Sequence, residues 1–175
     1  MKKVIMALGL SVMMAGSVFA NYDTGVIDYL EETQDWDSYL QQYNYSTWLS
    51  DHRYLTHDIY ASPDKLVLIS FFNGRLDSIF ILGPGYKTNK GAEVGMHLSD
   101  ILEIYGRDCE VINGFGNYRG YGYVEYVDQQ NSGLSFVFDR RTQEVLLIRY
   151  QRNRHGNSNV MADVQDYTLL PFNRA

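Results

Sequence analysis

The sequence predicts an α+β fold: a two-layer sandwich with helices packed on one face of a mainly antiparallel sheet. Three observations predict it. Trp36, Tyr39, Leu40 and Tyr43 follow helical spacing. Two β-rich runs, 66–72 and 76–82, flank Asn73-Gly74. Three further alternating runs follow a second short amphipathic segment. The order helix, three strands, helix, three strands then sets both helices against one sheet.

Taken in order, residues 1–20 read as a cleavable export signal. Lys2 and Lys3 precede an apolar run from Val4 to Ala15, and Val18 and Ala20 stand at the positions a signal peptidase inspects. The run falls short of the roughly 20 residues that span hydrocarbon. Position 21 is Asn21, not the cysteine that would carry a lipid. The expectation is a mature form without membrane insertion, located in the periplasm or, alternatively, secreted. Residues 21–151 form a single α+β domain on this reading, and 152–175 a polar, partly disordered tail that docks through Leu169, Leu170 and Phe172.

Residues 21–51 are unevenly helical: Val26, Ile27 and Leu30 precede the Trp36 stripe, while Glu31, Glu32, Asp35, Asp37 and Gln41 occupy other faces. Tyr45 and Trp48 extend this layer, and Ser50-Asp51-His52-Arg53 ends it. From Tyr54 the period becomes two, as far as a turn at Ser62-Pro63-Asp64. Asn73-Gly74 predicts a type I′ hairpin, since both central residues need positive φ. Leu66, Leu68 and Phe72 on one face and Val67, Ile69 and Phe71 on the other place this hairpin centrally in the sheet. Gly83-Pro84-Gly85 breaks the strand. A helix from 98 to 105 then buries Ile101, Leu102 and Tyr105 and stops at Gly106. Residues 107–122 read as a glycine-rich loop, and strands follow over 123–128, 134–139 and 145–151.

Composition narrows the function. The chain has 15 basic and 21 acidic residues for a net charge of −6, and removing Lys2 and Lys3 makes it more negative. Nucleic acid is therefore not an expected partner. Cys109 is the single cysteine, so no internal disulfide can form, and it reads as a small buried apolar residue. All 15 tyrosines lie after residue 20, where they suit half-buried sheet faces and binding surfaces alike.

The run Tyr86-Lys87-Thr88, Lys90-Gly91, Val94-Gly95, Asp100 and Tyr105-Gly106, followed by a strand meander, resembles the half-domain of the β-lactamase-inhibitor-protein-like fold. That fold is shared with the small lipoprotein of outer-membrane protein assembly. The resemblance covers about residues 86–151 and implies a domain that binds other proteins and carries no catalytic centre. The chain departs from the pattern at Asn21 and at His97, where Ser or Thr is the usual helix cap. No functional residue transfers from it.

No catalytic signature stands out in the sequence. His52 and His57-Asp58 point to opposite faces of a strand, and His97 and His155 lie elsewhere, so no metal and no cofactor are expected. Ser70 lacks a nucleophile-elbow motif, and nothing singles out a carboxylate pair. The expected function is that of an exported, noncatalytic protein-binding domain of the bacterial cell envelope, its partner a protein of unknown identity. The alternative is a cell-envelope carbohydrate-binding module or hydrolase. Phe115, Tyr118, Tyr121 and Tyr123 are the candidate binding residues, as aromatics on a glycine loop. The competing reading folds them back onto the core.

Overall fold

The structure is a computed structural model, and it describes residues 36–47, 57–114, 118–129 and 131–152. Residues 1–20, expected to be an export signal, the segment beyond Arg152, His52, Phe115 and His155 lie outside the described residues.

Eight strands form one antiparallel sheet: β1 (Ser46–Thr47), β2 (His57–Ala61), β3 (Val67–Phe72), β4 (Arg75–Ile81), β5 (Glu110–Asn113), β6 (Tyr121–Val127), β7 (Gly133–Asp139) and β8 (Val145–Gln151). Their order is β1-β2-β3-β4-β8-β7-β6-β5. The two sequence blocks meet where β4 pairs with β8, from Ser78↔Gln151 to Ile81↔Ile148.

The expected two-layer sandwich is corrected by this architecture. Among the described residues its helices, α1 (Trp36–Gln42) and α2 (Leu98–Tyr105), have seven and eight residues, too few to make a layer over an eight-stranded sheet. Among the described residues the fold is a sheet with two helical patches. The physical reason for the short α1 is visible locally: Asn44 takes φ 55°, Tyr45 N–H donates to Leu40 O at 2.9 Å, and the chain turns into β1. Residues expected to extend the helix thus become a sheet edge. A second correction concerns 107–122, where Glu110–Asn113 is an edge strand paired with β6 through Val111↔Val124.

Asn73 (φ 51°) and Gly74 (φ 72°) both sit in the left-handed region, as a type I′ turn requires. Beyond the turn, a register shift between Ser70 and Phe71 sets Leu76 opposite Phe71 and turns it toward α1. A second shift, between Val137 and Phe138, sets Val145 toward α2. Such bulges bend and twist the strands that carry them.

One sheet face packs Val67, Ile69, Phe71, Leu76 and Ile79 under Tyr39 and Leu40 of α1. Farther along the same face, Ile81, Phe136, Phe138, Val145 and Ile148 pack under Ile101 of α2. Ile101 is fully buried, a contribution of roughly 1.5–3 kcal/mol. His97 caps α2 in place of a Ser or Thr: Ser99 N–H donates to its Nδ1 at 3.2 Å, and its own N–H donates to Asp100 Oδ2 at 3.3 Å. Tyr105 Oη donates to Thr88 Oγ1 at 2.7 Å, and Tyr126 Oη donates to Gly106 O at 2.7 Å, tying α2 to the preceding loop and to β6.

Candidate functional site

Three of the four aromatic residues expected to face a partner are buried, and the fourth, Phe115, lies outside the described residues. Tyr118, Tyr121 and Tyr123 are 0%, 5% and 4% exposed and join Leu68, Phe80, Val137 and Leu147 in the core of the opposite sheet face. The reason is that Tyr121 and Tyr123 belong to β6, two residues apart, so both project onto one face. Burial pushes the Tyr121 hydroxyl above its ordinary range, with Asp139 adding to the effect.

The same face carries a buried polar row that sequence reasoning missed. Glu125, Ser135 and Arg149 are cross-strand neighbours, as are Gln151, Ser78 and Ser70, and all six are buried. Ser135 Oγ donates to Glu125 Oε1 at 2.9 Å, and Arg149 Nη1 lies 4.0 Å from that same oxygen. The signal was present as a single polar residue, or two in β8, on one face of each otherwise apolar strand.

Among the described residues, a concave feature of a size suited to a ligand lies elsewhere, where three connections meet. The turn after α1 supplies Tyr43, Asn44 and Tyr45; the β2–β3 turn supplies Ser62, Pro63, Asp64 and Leu66; the segment after β4 supplies Pro84, Gly85 and Tyr86. Together they line a cleft of about 400 Å³, within the roughly 300–1,000 Å³ typical of ligand sites. A smaller hollow of about 180 Å³, between α1 and the β2–β3 strands, includes Trp36, Asp37, Asp58 and Tyr60.

Asp64 organises the cleft. Its Oδ1 accepts from Ser62 Oγ at 2.5 Å and from Leu66 N–H at 3.0 Å, while Oδ2 accepts from Tyr86 Oη at 2.5 Å. The Ser62 hydroxyl oxygen in turn accepts from Val67 N–H at 3.0 Å, which anchors the turn to β3. Partial burial acts to raise the Asp64 pKa, but the hydrogen bonds from Ser62, Tyr86 and Leu66 outweigh it and hold the carboxyl below its ordinary value. Tyr45 is pushed far the other way, first by burial and then by Tyr39 beside it, so its phenol stays neutral. Tyr39 packs against Tyr43 and Tyr45 with ring centroids 4.7 and 5.9 Å apart, fixing that wall of the cleft to α1.

The remaining candidates find structural places. His97 is a helix cap, and His57 lies on β2 opposite Phe72. Cys109 is half-buried, its thiol 3.8 Å from Arg107 O. No helix among the described residues is long and apolar enough to cross a membrane.

No protein-family model matches the chain, and no curated protein does. Among solved structures it is similar to an extracellular protein containing a SCP domain from Bacillus anthracis str. Ames. The TM-score is 0.50 at 12% identity, and the likeness covers 87% of this chain and 49% of that one. The chain thus spans about half the length of that neighbour, and at this identity the likeness concerns the fold alone.

Proposed function

We propose that this chain is an exported recognition domain that binds a protein partner of the bacterial cell envelope through the Tyr43–Tyr45–Asp64–Tyr86 cleft. The observation that carries the reading is the state of Asp64: three donors hold it as a fixed, ionised acceptor between tyrosine and proline walls. A general acid or base works best with a pKa near the operating pH, and a carboxyl held below its ordinary value is far from that. A fixed charge set among aromatic and apolar surfaces suits recognition, where it orients and selects the bound group. The export signal read in residues 1–20 supports a site of action outside the cytoplasm, in the periplasm or beyond it.

Affinity capture from envelope extracts, read by mass spectrometry, tests the proposal. Wild-type chain should retain a protein that Asp64→Ala and Tyr86→Ala both lose and that Thr142→Ala, on the β7–β8 turn, keeps. A glycan array and a peptidoglycan pull-down run beside it. Sugar binding lost in the same two variants, without protein capture, would replace this reading with a carbohydrate-binding one.

A further inference from the structure

The hydrogen bonds on Asp64 restrict what it can still hold. An ionised carboxylate offers about four acceptor directions, two on each oxygen. Oδ1 has two donors, Ser62 Oγ and Leu66 N–H; Oδ2 has one, Tyr86 Oη. The Asp64 N–H also acts on the carboxylate, so at most one direction, on Oδ2, is left for an incoming donor. A guanidinium fork needs both oxygens for its paired hydrogen bonds, and a vicinal diol gripped in the same bidentate way does too. A primary ammonium is a point charge that needs one oxygen.

The rest of the lining fits the stem that such a group carries. Pro63, Leu66 and Pro84 offer apolar surface to a methylene chain, and Tyr43, Tyr45 and Tyr86 offer rings, whose faces attract cations. Among the described residues that line the cleft, Asp64 bears the formal charge. Glu93 adds negative charge beside it, its Oε2 accepting from Gly85 N–H at 3.3 Å, while Lys87 is engaged with Glu93 Oε1 at 3.8 Å. We infer that the cleft takes the ε-ammonium of a lysine on an extended segment of the partner, held at Asp64 Oδ2. This rests on the cleft being a protein-recognition site.

The test is an NMR titration of the full chain with Nα-acetyl-lysine amide, with its Nε-acetylated form, and with Nα-acetyl-arginine amide. The lysine probe should shift the amide signals of Asp64, Gly85 and Tyr86, and the other two should bind at least about tenfold more weakly. Asp64→Asn should weaken the lysine probe by a similar factor. Tyr86→Phe keeps the ring and leaves Oδ1 filled by Ser62 and Leu66, so lysine binding should persist and arginine should remain the weaker probe. Equal response to the lysine and Nε-acetyl-lysine probes overturns the inference, as does undiminished lysine binding by Asp64→Asn. So does a Tyr86→Phe variant that stays folded and loses the lysine probe. Failure of the lysine probe while partner capture still depends on the cleft removes this inference alone. Lysine binding with capture indifferent to the cleft removes the recognition reading instead.

Discussion

Arg149 on β8 and Glu125 on β6 face each other across Ser135 of β7, 4.0 Å apart and with fully buried side chains. Two charges withdrawn from water cost several kcal/mol each unless they compensate one another, so either one alone is a liability. Arg149→Met or Glu125→Leu should therefore destabilise the chain by about 3–5 kcal/mol. The double variant should cost less than the sum of the two. Urea unfolding of the four proteins checks this, and additive losses would mean that the two groups are not coupled.

Among the described glycines, Gly122 leaves the least room for a side chain. A Cβ added there would lie 2.7 Å from Phe138 Cζ and 3.0 Å from Ile112 O. Phe138 is 2% exposed, with little room to swing aside, and Ile112 O belongs to the backbone of β5. We expect Gly122→Ala to cost about 1–3 kcal/mol by overpacking. Adding Phe138→Leu should recover part of the loss, measured as the shift in urea midpoint relative to Phe138→Leu alone.

Asp64 gives stability a pH dependence of known sign. Its folded pKa is below the ordinary 3.8, because hydrogen bonds from Ser62, Tyr86 and Leu66 outweigh the opposing effect of partial burial. The stabilisation is then present above the ordinary value and lost as pH falls through the lowered folded one. Because the group is largely exposed, solvent screening keeps the effect small. Melting temperatures of wild type and Asp64→Asn should differ near neutral pH and converge as pH falls through the lowered folded pKa of Asp64. A gap that stays constant into acid would assign the loss to geometry, not charge.

How far these features could be read in advance depends on how local their causes are. Asn73-Gly74 carries its own turn geometry, and Ile101, Tyr105 and Gly106 mark a helix and its stop within nine residues, 98–106, so the hairpin and α2 were legible. Edge strand β5 was not: Glu110–Asn113 is short, and only its pairing with β6 makes it a strand. Tyr118, Tyr121 and Tyr123 were misplaced because glycines on either side suggest a mobile loop, while burial against Leu68 and Leu147 depends on strands far away in sequence. The cleft is the extreme case. Ser62-Pro63-Asp64 and Gly83-Pro84-Gly85 read as punctuation, yet the contact between Asp64 and Tyr86 spans 22 residues and exists only once β3 and β4 have paired.

The surface protected by a captured partner tests the central claim most directly. Amide hydrogen exchange of the chain, free and bound, should show protection concentrated at residues 43–45, 62–66 and 84–86. Protection confined to another surface, with exchange in these three segments unchanged, would contradict recognition through the tyrosine cleft.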